Sequence, residues 1–401
     1  MRRIPLRHLA EIRVSNVDKK TAEGEVPVRL CNYTDVYYNE RVTSTLDFME
    51  ATAKFDQCIA YQIRRGDVLI TKDSETADDI GVSAYVAETV PNVLCGYHLA
   101  LVRPRAHEVD GRYLRWALAS TEAREQMAAK ATGITRFGLR SSAIAGLVIP
   151  APDPAFQRKI ADYLDHETAR IDALIQKKEL LGAAVAERFV ALIDNSIQGT
   201  PVPLKRLLAR PLQYGANETG EVGDAEWPRY IRITDLRGDG TLRDDTELQL
   251  SPLSAVGYYL KEGDLLFARS GATVGKCFKF STANGPSCFA GYLIRARMDR
   301  SRALPEYVYL WTQSTDYWSQ IRRASIQATI QNVGASRYGS LTVPVPSLPV
   351  QGAIVKRSEA SGDWARATSA AIARQVTLLH ERRHALITAA VTGQLDIPEA
   401  A

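Results

Sequence analysis

An apolar residue recurs every three or four positions between Ala155 and Ile197. Steps that alternate between four and three are typical of a helix that packs lengthwise on another helix. The apolar members of this seam are Ile160, Leu164, Ile171, Leu174, Leu181, Val185 and Leu192. Such a helix would be about 65 Å long at ~1.5 Å per residue, which is too long for the core of a small domain. The pattern therefore predicts a long spacer helix, and a buried hairpin helix inside one globule is the alternative.

The same stretch occurs a second time with an offset of 194 residues and no gap. The matched pairs include Gln157 with Gln351, Ile160 with Ile354, Ile193 with Ile387, and Gly199 with Gly393. The second copy carries its seam at Ile372, Val376, Leu379 and Leu386. The segment Ser358–Gly362 (SEASG) has a composition that disfavours helix, so we expect the second helix to kink or to begin late there. We predict that the two helices pair with each other in antiparallel orientation.

The segments before the two helices also match each other. Gly66-Asp67 corresponds to Gly263-Asp264, and Gly96-Tyr97 corresponds to Gly291-Tyr292. Their offset drifts from 197 to 195, so the two halves differ by insertions in their loops. Loops vary more readily than the elements they connect, so this pattern indicates one scaffold that carries two different surfaces.

The predicted fold class is α+β. We expect two homologous globular domains, each a mixed sheet plus helices, separated by two long antiparallel coiled-coil helices in a pseudo-twofold arrangement. The predicted boundaries are 1–152 for the first globular domain, 153–198 for the first spacer helix, 199–347 for the second globular domain, 348–395 for the second spacer helix and 396–401 for a C-terminal tail.

Composition narrows the class of protein. The sequence contains no run of about 20 apolar residues, so we expect no membrane span. The N-terminal segment MRRIPLRHLAEIR lacks the apolar region of a secretory signal. The five cysteines form no CxxC pair, which favours reduced thiols in a cytoplasmic protein. The net charge is only +4, with 20 basic and 20 acidic residues in 1–154 and 18 basic and 14 acidic residues in 198–349. Charge alone therefore does not indicate nucleic-acid binding.

Catalytic signals are weak. Gly271–Cys277 resembles a phosphate-binding loop, but it has three residues between its glycines instead of four, and Cys277 replaces the Ser or Thr that would hold magnesium. A turn beside a strand is the preferred interpretation. His380 and His384 lie four apart on the second helix, and a polar helix surface is favoured there over a metal site. We expect no catalytic residue, no bound cofactor and no metal in this chain.

Three segments carry a resemblance to a known family. They are Ile149–Lys178, Gly263–Lys276 and Ala385–Ile397. Together with the duplicated plan, they resemble the specificity subunit of type I restriction-modification systems over essentially the whole chain. The first half departs from this pattern because it lacks the Arg-Ser-Gly-Ala-Thr phrase that begins at Arg269. SEASG departs from the first copy, which reads DYLDHE at Asp162–Glu167.

The resemblance implies a function. Two target-recognition domains would each read half of a split site in double-stranded DNA, and the helices would set the spacing and dock two methyltransferase subunits. Restriction/translocase subunits are further partners that the resemblance allows. It implies that S-adenosylmethionine and ATP bind to the partner subunits, and that no membrane is involved.

Reading base edges requires Arg, Lys, Asn or Gln on exposed loops. The leading candidates flank the same point in both halves. They are Thr135, Arg136 and Arg140 in the first half, and Thr329, Gln331 and Asn332 in the second. The next candidates are Lys72 in the first half, and Arg269, Ser270, Thr273 and Lys276 in the second.

Each of these candidates has an ordinary alternative as a solvated loop residue. Two other functions stay open for the chain as a whole. It could be a self-sufficient DNA methyltransferase or nuclease with degenerate motifs, or a coiled-coil scaffold without a DNA role.

Overall fold

The computed structural model describes residues 1–224, 226–237, 240–325 and 332–397. The chain divides into two compact units. Unit 1 comprises Met1–Lys177 with Gln375–Ala401, and unit 2 comprises Lys178–Arg374. Each unit therefore combines one globular segment with one part of each long helix.

The first globular segment alternates short strands and short helices. They are β1 (Arg3–Pro5), α1 (Leu6–Leu9), β2 (Ala10–Val14), β3 (Val26–Cys31), α2 (Tyr33–Tyr37), β4 (Arg41–Val42), β5 (Met49–Ala53), α3 (Phe55–Tyr61), β6 (Val68–Thr71), β7 (Asp73–Ser74), β8 (Ser83–Val86), β9 (Val93–Cys95), β10 (Leu99–Pro104), α4 (Gly111–Ala119), α5 (Thr121–Lys130), β11 (Phe137–Gly138), α6 (Ser141–Ala145) and β12 (Val148–Pro150). The long helix α7 (Pro154–Ser196) follows.

The second globular segment has fewer regular elements. They are β13 (Thr200–Pro203), β14 (Gln213–Tyr214), β15 (Arg229–Ile231), β16 (Leu265–Ala268), β17 (Cys277–Lys279), β18 (Ser287–Phe289), β19 (Leu293–Ala296), α8 (Pro305–Trp311), α9 (Thr315–Ser325), α10 (Ala335–Ser340) and β20 (Thr342–Val345), with 3-10 helices at Leu204–Leu207, Ile233–Asp235, Gly271–Thr273 and Thr282–Asn284. The long helix α11 (Leu348–Thr392) closes it. These elements confirm the predicted α+β class.

The two largest sheets of unit 1 are mixed. One has the order β2-β10-β6-β8-β4, and its strands are antiparallel except for the parallel pair β4–β8. A second sheet has the order β5-β3-β9, in which β3 and β9 are parallel. Unit 2 has an antiparallel sheet of order β14-β19-β16-β17 and a separate parallel pair, β15–β18. Each unit thus holds a buried central strand, β6 or β16, with antiparallel neighbours.

A buried glutamine anchors the start of each long helix. The Gln157 side chain accepts a hydrogen bond from Asp110 N at 2.8 Å and donates to Glu108 O and Pro152 O. In unit 2, Gln351 accepts from Leu304 N at 2.8 Å and donates to two backbone carbonyls in the same way. Both side chains are fully buried. A buried amide needs partners for both its oxygen and its nitrogen, and each glutamine finds them in the same backbone groups, which accounts for the match in sequence.

A second repeated contact follows each Gly-Asp turn. Asp67 is almost fully buried and receives two hydrogen bonds from the Arg103 guanidinium, both at 2.8 Å. In unit 2, Asp264 receives the same pair from Arg297, at 2.7 and 2.5 Å. These bidentate pairs tie β10 and β19 to the turns that precede β6 and β16. The repeated sequence is therefore also a repeated pattern of interior hydrogen bonds.

The two long helices are antiparallel within each unit. In unit 1, Arg383 reaches Asp172 at 2.9 Å, and Ile387 shares a core with Leu164. In unit 2, Arg357 donates to the Ser196 hydroxyl at 2.6 Å. These contacts match the predicted antiparallel pairing of helix with repeat.

Helix α11 begins at Leu348 and is uninterrupted across Ser358–Gly362, so the expected late start is wrong. Ser358 is buried, and Gly362 packs against the Phe189 ring, where an added Cβ would lie 3.1 Å from the Cζ atom. A small residue is needed where α11 lies this close to the Phe189 ring of α7. Packing against α7 therefore outweighs the low helix propensity of the segment.

The buried stripe of α7 differs from the predicted seam. Ile160, Leu164, Ile171 and Val185 are buried, but Leu174 is 42% exposed and Leu181 is 48% exposed. The observed stripe passes instead through Thr168, Ile175, Ile193 and Ser196. A 3.5-residue repeat falls behind a 3.6-residue helix by ~20° per heptad, so the predicted positions for Leu174 and Leu181 turn to the wrong face.

In α11, Ile372 is buried, and Val376, Leu379 and Leu386 are half-buried, as is Leu192 in α7. No helix within the described residues combines the length and apolarity that a membrane crossing requires.

Candidate nucleic-acid interface

Lys72 lies directly after β6, at the end of the central strand of unit 1. Its ammonium lies 3.0 Å from the Asp73 carboxylate and 4.6 Å from the centroid of the Tyr97 ring. Only 12% of the Lys72 side chain is exposed. The charge of Lys72 is thus partly neutralised by Asp73, and most of the side chain packs within the protein.

Asp73 organises the polar groups around Lys72. Its carboxylate also contacts His98 Nδ1 at 2.7 Å. Burial alone would raise the pKa of Asp73, but hydrogen bonds from His98 and Lys72 outweigh it and lower that pKa. Asp73 is therefore ionised at neutral pH and holds both neighbours in place.

Strand β11 brings a second segment to the same edge. Phe137 pairs with Ser74 and Gly138 with Asp73, so the loop 132–136 lies beside the end of β6. Thr135 and Arg136 are exposed on this loop, and Ile134 is 95% exposed. Arg140 is exposed just before α6. Lys72 O accepts a hydrogen bond from Leu139 N–H at 2.8 Å, and Thr135 and Arg136 lie on the loop just before the strand that pairs with β7.

Tyrosines of α2 complete this edge, and sequence reasoning missed them. The Tyr33 and Tyr37 rings stack at 5.3 Å, and Tyr37 donates its hydroxyl to Asp79 at 2.8 Å. That hydrogen bond raises the pKa of Tyr37. The next ring, Tyr38, is 76% exposed. Exposed aromatic faces can stack on bases, and the run YTDVYY after β3 was the available signal.

Arg269 occupies the corresponding position in unit 2, directly after β16. Its backbone N–H donates to Tyr292 O at 3.0 Å, just as Lys72 N–H donates to His98 O at 3.0 Å. Its guanidinium lies 4.9 Å from the centroid of the Tyr214 ring. The two units thus share a backbone arrangement but carry different cations and different aromatic partners.

The other candidates of unit 2 lie around Arg269. Ser270 forms a β-bridge with Asn332, and Val333 N–H donates to Arg269 O at 2.9 Å. Thr273 is half-buried within a 3-10 helix, and Lys276 is exposed. Thr329 and Gln331 lie outside the described residues.

The long helices of unit 2 form an apolar notch of about 320 Å³. It is lined by Arg188, Phe189, Leu192, Ala360, Ser361, Trp364 and Ala365. The Trp364 side chain is 52% exposed. A large aromatic ring open to solvent beside a cavity is typical of a protein-docking surface.

The segment Gly271–Cys277 has the geometry of a turn beside a strand. Gly271–Thr273 is a single 3-10 turn, and Cys277 begins β17. Burial raises the pKa of the Cys277 thiol, so it is not a reactive thiolate. Among the described residues, no group of three or more His, Cys, Asp or Glu side chains could hold a metal ion.

Comparison with solved structures relates this fold to restriction-modification proteins. A chain from a study of complex assembly and conformational transition of the type I R-M system superposes with a TM-score of 0.75, at 15% identity, over 98% of both chains. This likeness confirms the predicted resemblance at the level of fold.

Two further chains are the HsdS subunit from Thermoanaerobacter tengcongensis and the type I restriction-modification S subunit from M. genitalium. The first has 16% identity and a TM-score of 0.49, over 98% of this chain and 97% of that one. The second has 14% identity and a TM-score of 0.40, over 100% and 96%. No protein-family model and no curated protein match the sequence.

Proposed function

We propose that this chain is the sequence-specific DNA recognition subunit of a type I restriction-modification complex. The observation that carries this proposal is the pair of corresponding loops after β6 and β16, where matching backbone contacts hold different polar side chains. Base readout depends on which donors and acceptors face the groove, so two such loops can read two different sequences. The likeness of fold to a type I R-M chain supports the same function.

In this proposal, unit 1 reads one half-site of double-stranded DNA. Arg136 and Arg140 are exposed and supply the guanidinium groups that suit guanine edges or phosphates. Thr135 is exposed beside Arg136 and supplies a hydroxyl. Lys72 contributes chiefly by fixing the loop through Asp73 and Tyr97, because most of its side chain is covered.

Unit 2 reads the other half-site. Arg269, Ser270, Thr273 and Lys276 lie on one short loop, and Asn332 is bridged to it. Thr329 and Gln331 join this set as sequence candidates. Since this set lacks the acidic residues that follow Lys72, we expect the two half-sites to have unlike sequences.

The long helices act as the spacer between two target-recognition domains, 1–152 and 199–347. The spacer segments are 153–198 and 348–395, and the domains are related by a pseudo-twofold axis. With 43 residues, α7 is about 65 Å long, which is roughly two turns of duplex at ~34 Å per turn. A spacer of this length suits a split site.

We infer that the chain is a non-catalytic member of a cytoplasmic complex. Two methyltransferase subunits bind S-adenosylmethionine and dock on the helices, and restriction/translocase subunits that use ATP are further partners. The notch around Trp364 supports docking, because buried aromatic anchors contribute much of the affinity at such interfaces.

Co-expression with a type I methyltransferase subunit tests the proposal. N6-methyladenine is then mapped across the host DNA, with the methyltransferase alone as the control. We expect a split motif, made of two short half-sites with a fixed unspecified gap, only when this chain is present.

Other outcomes contradict parts of the proposal. A continuous motif would contradict the reading of separate half-sites. A stable complex without methylation would favour a scaffold. S-adenosylmethionine binding by the isolated chain would favour a self-sufficient enzyme.

A further inference from the structure

The candidate DNA-binding residues of unit 2 lie on a short loop that is closed at its base. We call residues 269–276 the β16 loop. Ala268 N–H donates to Lys276 O at 2.9 Å, and Gly275 N–H donates to Ala268 O at 3.1 Å. The tip of the loop, at Gly271 and Ala272, is exposed. The orientation of the tip therefore depends on how firmly this base is held.

Two buried tyrosines hold the base from behind. Tyr338 Oη donates to Ala268 O at 2.6 Å and accepts from Gly275 N–H at 3.1 Å, so one phenol joins both ends of the loop. Tyr317 Oη donates to Gly275 O at 2.6 Å. Both rings are fully buried, and both approach the Phe267 ring on β16.

These phenols stay neutral. Burial raises the pKa of both hydroxyls above their ordinary value. A neutral phenol can donate and accept at once, which is what the Tyr338 contacts require. A phenylalanine would keep the ring and lose every one of these hydrogen bonds.

Gly275 fits this arrangement by shape. Its φ is 88°, a left-handed conformation that favours glycine. A Cβ added there would lie 2.8 Å from the Trp318 ring and 2.9 Å from the Ile321 side chain. The end of the loop is thus seated directly on α9, and little room remains for it to shift.

We propose that Tyr317 and Tyr338 are positioning residues that determine the sequence discrimination of one half-site, by holding the base of the β16 loop through hydrogen bonds to Ala268 and Gly275. This inference rests on the proposed function. The tyrosines do not touch DNA, and they act through Arg269, Ser270, Thr273 and Lys276.

Unit 1 has no phenol at the two corresponding positions. The positions 194 residues earlier hold Ala123 and Ile144, which have no hydroxyl. There, the Thr71 hydroxyl accepts a hydrogen bond from Val82 N–H at 3.0 Å. An effect of the two phenols on DNA reading is therefore confined to the half-site of unit 2.

The variants Tyr338→Phe and Tyr317→Phe test the proposal, with Tyr307→Phe as the matched control. Tyr307 is equally buried in unit 2 and donates its hydroxyl to Pro344 O at 2.6 Å, away from the loop. Each full-length variant is co-expressed with the methyltransferase subunit, and methylation is measured on a plasmid library with every motif position randomised. The measured quantity is the preference for the cognate base at each position.

We expect Tyr338→Phe to lower this preference on the order of tenfold at one half-site, because Ala268 O and Gly275 N–H would keep only their bond to each other and lose the buried phenol that joins them to α10. The other half-site should keep its preference. Tyr317→Phe should act at the same positions with a smaller effect, since it removes one hydrogen bond. Tyr307→Phe should leave both half-sites unchanged. Unchanged preference in Tyr338→Phe, or an equal loss at both half-sites, would overturn the proposal.

Hydrogen exchange of the full chain separates this inference from the proposed function. Amides of residues 269–276 should exchange faster in Tyr338→Phe than in Tyr307→Phe or the unaltered chain, whether or not DNA is read. Unchanged exchange would show that the phenol does not hold the loop and would overturn the inference. An unaltered chain that directs no split methylation contradicts the proposed function instead, and with it the discrimination claimed for the tyrosines.

Discussion

The loop after β6 and the loop after β16 are held in place by different groups. In unit 1, residues 72–81 are tied down by Asp73, which contacts Lys72 and His98, and by Tyr37 of α2, which bonds Asp79. In unit 2, the shorter β16 loop is held at its base by two buried phenols. The backbone contacts that position the loops are the same in both units. A duplicated scaffold thus keeps its interior hydrogen bonds and changes the side chains that shape each surface.

A second difference lies on the long helices. In unit 1, Arg383 joins Asp172 and Glu40 in a charged network that includes the buried Arg115. At the matched position in unit 2, 194 residues earlier, Phe189 lines an apolar notch beside Trp364. The long-helix segments of unit 1 and of unit 2 therefore present unlike chemistry.

The largest effect should come from exchanging a whole domain. If the proposed function holds, replacing residues 1–152 with the corresponding domain of a type I specificity subunit should change one half of the methylated motif completely. The other half and the overall methylation level should persist, since the second globular segment has its own core. Methylome mapping of the chimera measures this. Changes in both halves would mean that the units do not read DNA independently.

Gln351→Ala should strongly destabilise the chain. Leu304 N–H and two carbonyls would lose their buried partner, which should lower the free energy of unfolding by about 2–4 kcal/mol. Gln157→Ala should cost a similar amount, because its contacts are equivalent. Urea unfolding followed by circular dichroism gives both values. The exposed Gln176 provides the control substitution. A near-neutral Gln351→Ala would contradict the equivalence of the two anchors.

Trp364→Ala should weaken binding of the methyltransferase by about 2 kcal/mol or more, the usual cost of an aromatic anchor. The stability of the isolated chain should change little, because 52% of the side chain is already exposed. Calorimetric titration measures the affinity. Leu378→Ala is the control, as Leu378 is 61% exposed on unit 1. If both substitutions weaken binding equally, the notch is not a special docking point.

Arg136→Ala should weaken binding of cognate DNA by about 1–3 kcal/mol and relax one half-site, if its guanidinium contacts a base. A uniform loss across sequences, with a salt slope reduced by about one, would assign Arg136 to phosphate instead. Fluorescence anisotropy of the complex at several salt concentrations distinguishes the two. Arg158, exposed on α7, provides the control substitution. Wild-type affinity in Arg136→Ala would remove this residue from the interface.

The smallest effect concerns pH. Burial would raise the pKa of Glu40, but Arg115 and Arg383 outweigh it and lower that pKa in the folded chain. The contribution of Glu40 to stability is therefore present above its unfolded pKa of about 4.3 and is lost as pH falls through the lower folded value. Glu40→Gln should flatten this acid limb of the stability curve and cost about 1 kcal/mol at pH 7, since Glu40 is half-exposed. Thermal melts between pH 3 and 7 test this, with the exposed Glu187→Gln as control. If Glu40→Gln loses stability with falling pH just as the unaltered chain does, other carboxylates determine this pH dependence.

The local sequence pattern was sufficient to predict the helices and strands, but it did not predict which residues of the long helices are buried. The two long helices and the α+β class follow from local spacing in the sequence, because periodicity and turn residues act over a few positions. The prediction that Leu174 and Leu181 pack against the other helix was wrong, because a seam assigned with a 3.5-residue repeat loses register with a straight helix. The continuity of α11 through SEASG depended on Phe189, which lies far away in the chain.

By itself, the sequence determined that one scaffold occurs twice and that Gln157 and Gln351 occupy equivalent positions in the two copies. It also indicated the loops on which the cationic candidates lie, since exposed loops and their turn residues are local features. Only the tertiary structure decided that Lys72 is covered by Asp73 and Tyr97, that tyrosines of α2 border the first loop, and that Tyr317 and Tyr338 hold the second. The physical reason is distance along the chain. Tyr338 bonds Ala268 from 70 residues away, and no periodicity or propensity encodes a hydrogen bond between such remote groups.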